Sequence, residues 1–314
     1  MNRLKNFFKK ISQEIHIPFR LSEKDGDILV DLISNKKKVI LTEITIQSKK
    51  FVLEINEDYE NCISLLKCYL EKELINLVKS KEEIIFDILR GKEYEEDFIN
   101  EFITYKPLNL MLIYTNDNKA KIARTINNLS KNKDIILMII DGCVLFIRKD
   151  PINIDNANEL YNLLEKTVSK EIYITFGIVE NHRELRERFK ALKENIDLCL
   201  KYELPWKVYS ENSLLVEKLI KCMDDKEKRY VYKRFNNIFS KLDSELIKTI
   251  DIFFSEGLNV SESADKLFIH RNTLLYRIDK IKKIINFDIT NFNEALEFKI
   301  LFLLWKESIF TNKL

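Results

Sequence analysis

The chain has 314 residues, 46% of them hydrophobic and 32% charged, which is more than one ordinary core needs and too apolar for a disordered chain. Its 52 basic and 50 acidic side chains leave a net charge of +2, so any attraction to a polyanion has to be local. Five Gly and four Pro are too few for elaborate phosphate-cradling loops, and the scattered Cys62, Cys68, Cys143, Cys199 and Cys222 suit buried thiols in a reducing compartment better than a disulfide framework.

The N-terminal segment spaces Leu4, Phe7, Phe8, Ile11 and Ile15 as an amphipathic helix packed on its own domain, and its interspersed lysines do not read as a secretory signal. Short β-rich stretches follow at Phe19–Leu21, Ile28–Ile33, Val39–Ile46 and Phe51–Ile55, with Asp25-Gly26 as a hairpin turn. Residues 1–80 are thus expected to form a small α/β, sensor-like domain that ends in a linking helix. From Tyr59 to about Arg90 the pattern is helical, and its apolar stripe (Leu65, Leu66, Tyr69, Leu70) suits a dimer seam or packing within the chain equally well.

Within the expected 81–217 domain, strands and helices alternate between Leu108 and about Glu217: NLMLIYT, a helix over Lys119–Leu129, IILMII, CVLFIR, a helix over Asn156–Val168, EIYITFGI, a helix over Arg183–Tyr202, and WKVYS. That alternation predicts an α/β sandwich. Asp141-Gly142 between IILMII and CVLFIR is the favoured two-residue hairpin turn, so those two strands are expected to be antiparallel. Residues 218–242 read as a helical linker. The longest apolar runs, Ile135–Ile140 and Ile300–Trp305, have six residues each, against about 20 needed to cross a bilayer, so no membrane partner and a cytoplasmic location are expected.

Residues 243–314 predict an all-α domain. A helix over Asp243–Ser255 stops at Gly257; a second starts with Ser261 as N-cap and puts Val260, Ala264, Leu267 and Phe268 on one face, the small Ala264 letting a crossing helix come close. After a break at Ile269-His270, a third helix lines up Leu274, Ile278, Ile281 and Ile285 as its core face. At about 100° per residue the opposite face gathers Asn272, Thr273, Tyr276, Lys280 and Lys283, with Arg277 at its flank and Arg271 at the helix start. Between His270 and Lys283 five Arg/Lys stand against one Asp, a local +4 of the kind that attracts phosphates. Arg271, Asn272 and the lysines suit base edges and phosphates, Thr273 and Tyr276 suit the backbone, and His270 suits a DNA contact or a capping role.

The stretch SADKLFIHRNTLLYRIDKI is similar to the C-terminal helix-turn-helix of the PucR/CdaR group of bacterial regulators, through Ala264, Leu267, His270, Arg271, Asn272, Thr273, Leu274, Tyr276 and Arg277, with Ile278 in place of the usual leucine. The resemblance runs from about Leu246 to Leu304. It implies a DNA-reading unit in a homodimer that holds one recognition helix in each of two successive major grooves. More weakly, Leu108–Ser210 resembles the degenerate GGDEF-like domain that such regulators carry upstream. An active cyclase of that type needs a Gly-Gly-acid-Glu hairpin to hold metal and nucleotide, whereas Ile140-Asp141-Gly142-Cys143 has one acid and one glycine, which makes Asp141 a turn residue.

The fold expected is therefore α+β multidomain: a small α/β N-terminal domain, a helical linker, a degenerate GGDEF-like sandwich and a C-terminal helix-turn-helix. No catalytic residue, metal or cofactor is assigned: His16, His182 and His270 lie in separate regions, Cys62 and Cys68 lack zinc spacing, and no Walker loop, G-x-S-x-G or G-x-G-x-x-G is present. Double-stranded DNA is the expected partner, with a small-molecule effector acting through the upstream domains. The alternative is an enzyme acting on nucleotides through Leu108–Ser210, with the C-terminal helices serving only to dimerise; a third reading has that domain bind a nucleotide without chemistry.

Overall fold

A computed structural model describes residues 15–24, 26, 28–33, 38–46, 49–94, 99, 107–129, 135–168 and 171–312. The chain forms two compact units, Met1–Thr104 and Tyr105–Leu314. The predicted N-terminal helix lies outside the described residues except for Ile15, which packs against the first unit's sheet.

In the first unit β1 (Phe19–Glu23), β2 (Ile28–Asp31), β3 (Val39–Ile46) and β4 (Lys49–Asn56) make an antiparallel sheet in the order β2-β1-β4-β3. Strand alternation sends Phe19, Leu21, Phe51, Leu53 and Ile55 to one face, where α1 (Ile63–Val78) seats Leu66 and Leu70. These leucines thus cover the sheet of their own unit. On β1, Arg20 bonds to Asp31 at 2.9 Å and Glu54 at 3.3 Å, and its guanidinium holds the Asp31 carboxyl below the usual range. A capping box between Ser80 and Glu83 opens α2 (Lys81–Leu89), which belongs to this unit.

The second unit begins with β5 (Leu108–Thr115), α3 (Lys119–Leu129), β6 (Ile136–Ile140), β7 (Cys143–Arg148), α4 (Ile154–Glu165), β8 (Ile172–Val179), α5 (Leu185–Tyr202) and β9 (Val208–Ser210). The sheet order is β6-β7-β5-β8-β9, antiparallel except for β8 with β9. Met111, Ile113, Val144, Ile174 and Phe176 point to one face, against Ile122 and Ile126 of α3 and Ala157 and Leu164 of α4. Residues in the alternate register serve α5: Thr175 Oγ1 donates to the Leu192 carbonyl at 3.0 Å. This is the helix–sheet–helix sandwich that the alternation predicts. Asp141 (φ 47°) and Gly142 (φ 75°) both lie in the left-handed region, as a type I′ turn requires, and close the β6–β7 hairpin. Asp141 is exposed at that turn, and burial pushes the neighbouring Cys143 thiol up to about 11.

The remaining helices are α6 (Leu215–Lys221), α7 (Asp225–Phe239), α8 (Ser244–Ser255), α9 (Val260–Leu267), α10 (Arg271–Ile285) and α11 (Phe292–Asn312). The stretch 218–242, read as a linker, is corrected here. Phe239 of α7 and Leu242 lie in the same core as Leu246, Phe253, Ile278, Phe298 and Trp305, and the Trp305 indole donates to Asn236 at 3.2 Å. Polar spacing along α7 hides its single buried ring, so periodicity alone undercounts its packing. Helix α11 also ties this bundle to the sheet. Glu307 accepts from Lys201 (2.6 Å), Tyr202 Oη (3.0 Å) and Lys228 (3.1 Å), while Lys306 donates to both Asp251 oxygens at 2.7 Å and to the Tyr202 carbonyl at 3.1 Å.

Candidate nucleic-acid interface

Three consecutive helices, each with its own start and stop, make the frame. Asp243 caps α8 by accepting from the Leu246 amide at 2.8 Å, and the helix closes where the Leu258 amide reaches back to the Phe253 carbonyl across Gly257 (φ 62°). Asn259, and not the expected Ser261, caps α9, its Oδ1 accepting from the Ser261 and Glu262 amides. Buried Ala264 and Ser263 lie on α9, which packs on both α8 and α10. Phe268 departs from its expected place: α9 ends at Leu267, the next residue turns left-handed (φ 54°), and the phenyl swings out to 94% exposure. His270 then caps α10, Nδ1 accepting from the Asn272 amide at 3.2 Å, which leaves the neutral ring's proton on Nε2. That is the capping role anticipated for it.

Leu274, Ile278, Ile281 and Ile285 are buried as the inner face of α10. His270, Arg271, Asn272, Thr273, Tyr276, Lys280 and Lys283 are exposed, and those that lie on α10 occupy its outer side. Arg277 differs. Its side chain is only 14% exposed and turns toward α8, donating to Thr249 Oγ1 at 3.3 Å and pairing with Glu245.

The profile of the PucR C-terminal helix-turn-helix domain matches residues 246–304. Those residues are a PucR-type helix-turn-helix domain. Over 54 residues the chain is 46% identical to YxkF, an uncharacterized protein of Bacillus subtilis, covering 17% of this chain and 18% of that one. Over 64 residues it is 33% identical to the proline-responsive transcriptional activator PutR of the same organism, covering 20% and 16%. An uncharacterized Haemophilus influenzae protein is 26% identical over 220 residues, 65% of this chain and 59% of that one. Each match thus spans less than two thirds of the relative's length. The crystal structure of a regulator of polyketide synthase expression from Bifidobacterium adolescentis aligns over 73% of this chain and 93% of its own, at 15% identity and a TM-score of 0.32, too low to establish a shared overall fold.

Carboxylates of the same chain answer part of the local positive charge on α10. Glu245 takes Arg277, Asp243 takes Lys280 at 3.4 Å, and Asp288 takes Lys282 at 2.6 Å. The Lys282 and Thr290 hydrogen bonds hold the Asp288 carboxyl down to about 2; Asp243 is lowered first by its bond to the Leu246 amide and then by Lys280. Among the described residues Arg271 and Lys283 have no ion-pair partner, and the Lys280 pair is long and half exposed. The carboxylates that hold Arg277 and Lys280 sit at the start of α8, far upstream in sequence, where residue counting does not see them. No helix among the described residues is long and apolar enough to cross a membrane. Among them, too, no group of three or more His, Cys, Asp or Glu could hold a metal ion.

Proposed function

We propose that the chain is a transcriptional regulator that reads double-stranded DNA with the outer face of α10. What carries this is the exposed row from His270 to Lys283 on the second helix of a PucR-type helix-turn-helix, uncovered in this chain and backed by a fully apolar inner face. A helix docked by its N-terminal end in the major groove brings Arg271 and Asn272 to base edges, where a bidentate Arg–guanine or Asn–adenine pair reads sequence. Thr273, Tyr276, Lys280 and Lys283 then grip phosphates, the Nε2–H of His270 points outward at the helix start, and Arg277 holds α10 onto α8. The transcriptional role named for PutR supports this reading. A homodimer would present two such helices one DNA turn apart, about 34–36 Å.

The sandwich of β5–β9 is read as a degenerate GGDEF-like domain that passes an effector's presence to the DNA-binding helices without chemistry of its own. The exposed two-residue turn supports that reading, since cyclase-type metal chemistry needs clustered carboxylates and the hairpin sequence Ile140-Asp141-Gly142-Cys143 carries one acid. The working location is the cytoplasm.

Fluorescence anisotropy of the full chain on DNA from its own promoter region, with a salt series and a scrambled competitor, tests the proposal. Sequence-selective, salt-sensitive binding is expected. Equal affinity for the promoter and its scrambled copy would refute it, and turnover of GTP with magnesium would restore the enzyme reading.

A further inference from the structure

Where the sandwich meets the helical bundle, the second unit carries a half-open cavity of about 180 Å³. Trp206 and Tyr209 from the end of the sheet, Glu217 from α6, Phe254 from α8, and Lys299 and Phe302 from α11 form its walls. Glu217 is only 6% exposed, yet among the described residues nothing donates to its carboxylate or pairs with it. Lys299, half-buried on the opposite helix, is likewise without a partner among them, and the two do not approach within the 4.0 Å of an ion pair.

A carboxylate on a residue as buried as Glu217 gives up part of its hydration, and no ionic partner among the described residues replaces it. Asp251 shows the contrast: it borders the same cavity but is closed off by Lys306. Two opposite charges that line one cavity without pairing are complementary to a molecule carrying the reversed pair. Tyr209 also lines the cavity; its hydroxyl oxygen takes a hydrogen bond from the Trp206 backbone, and burial keeps its proton on well above the usual range, so the O–H is left to donate. Trp206 already holds the Lys266 ammonium 4.7 Å from its ring centre, so this indole can serve a cation. The volume equals roughly six waters at about 30 Å³ each, below the roughly 300–1,000 Å³ of drug-sized ligand sites, so the occupant is small.

We propose that this cavity binds a free α-amino acid, its ammonium on Glu217 and its carboxylate on Lys299 and the Tyr209 hydroxyl. A zwitterion satisfies both protein charges while adding no net charge to the interior. Because α8 and α11 belong to the bundle that carries α10, the occupant touches both the end of the sheet and the frame of the reading helix. That consequence rests on the DNA-binding reading; binding itself is measured without DNA, so the two fail separately.

Isothermal titration of the full chain with each standard amino acid is the test, with n-butylamine and butyrate as probes carrying one charge each. At least one amino acid is expected to bind saturably, with both single-charge probes and the Glu217→Gln and Lys299→Met variants weaker by about tenfold or more. Circular dichroism of the variants should match the parent. No saturable heat with any amino acid, an amine as tight as the amino acid, or undiminished binding by Glu217→Gln would overturn the site. An amino acid that binds but leaves promoter affinity unchanged would overturn the coupling alone.

Discussion

Lys283 and Arg277 stand six residues apart on α10, carry the same charge and have opposite expected fates. Lys283 is exposed and unpaired among the described residues, so on DNA it is free to displace a counterion from a phosphate. Arg277 is 14% exposed and already spends its guanidinium on Glu245 and Thr249. Each phosphate contact contributes about 0.9 to the slope of log K against log salt, so Lys283→Ala should flatten that slope by about 0.9 per half-site. Between 50 and 200 mM salt, one lost contact changes the affinity ratio about 3.5-fold, and two in a symmetric site about 12-fold. Arg277→Met should leave the slope within about 0.3 of the parent and instead lower folding stability by about 1 kcal/mol, a small figure because Glu245 is two-thirds exposed and the pair is screened. Anisotropy titrations at four salt concentrations, paired with urea unfolding of each variant, separate the two. The reasoning fails if Arg277→Met flattens the slope as much as Lys283→Ala does while its unfolding midpoint stays at the parent value.

Asn272→Ala should weaken binding to the specific site by about 1–3 kcal/mol and leave random DNA unaffected; competition titration reads the difference, and equal losses on both would remove Asn272 from base recognition. Lys306→Met strands the Asp251 carboxylate, whose side chain is 21% exposed, and should cost about 2–4 kcal/mol in urea unfolding, with Asp251→Asn added in the same chain restoring about half. Burial raises the Glu307 carboxyl, but hydrogen bonds from Lys201, Lys228 and Tyr202 outweigh it, so this group titrates below the ordinary glutamate range. The stability it adds is present above about pH 4.3 and is lost as the pH falls through its lower folded value, so Glu307→Gln should flatten the acid limb of a Tm-against-pH curve, and an unchanged limb would exclude the clamp.

The parts legible in the sequence are those set by contacts close along the chain. Asp141-Gly142 announces its hairpin because two adjacent positive φ angles select those residues, and the four-three-four spacing from Leu274 to Ile285 announces which side of α10 faces inward. What was missed depends on partners far away in sequence or on one dihedral angle. Asn259 and Ser261 are both good caps, and only the backbone path makes Asn259 the one that bonds. Phe268 satisfies the helical period yet lies one residue past the helix end. Arg277 counts toward the basic face by angle, but Glu245, 32 residues upstream, claims it. Glu217 and Lys299 carry no local signal at all; only the fold brings them to one cavity.

The similarity to PucR-type domains runs from 246 to 304, and the physical unit does not stop there. Phe239 is 1% exposed against Phe298, Phe302 and Trp305, and Trp305 in turn bonds to Asn236. Cutting this chain at the homology borders and grafting the piece onto another sensor would remove α7 and lay open an aromatic surface. The portable cassette is thus larger than the one evolution makes visible. A chimera that keeps residues 225–312 retains that seat, and the helix that carries it, α11, brings along the residues that dock on its original sandwich. Swapping sensors onto this reader therefore means redesigning the joint as well as the fusion point.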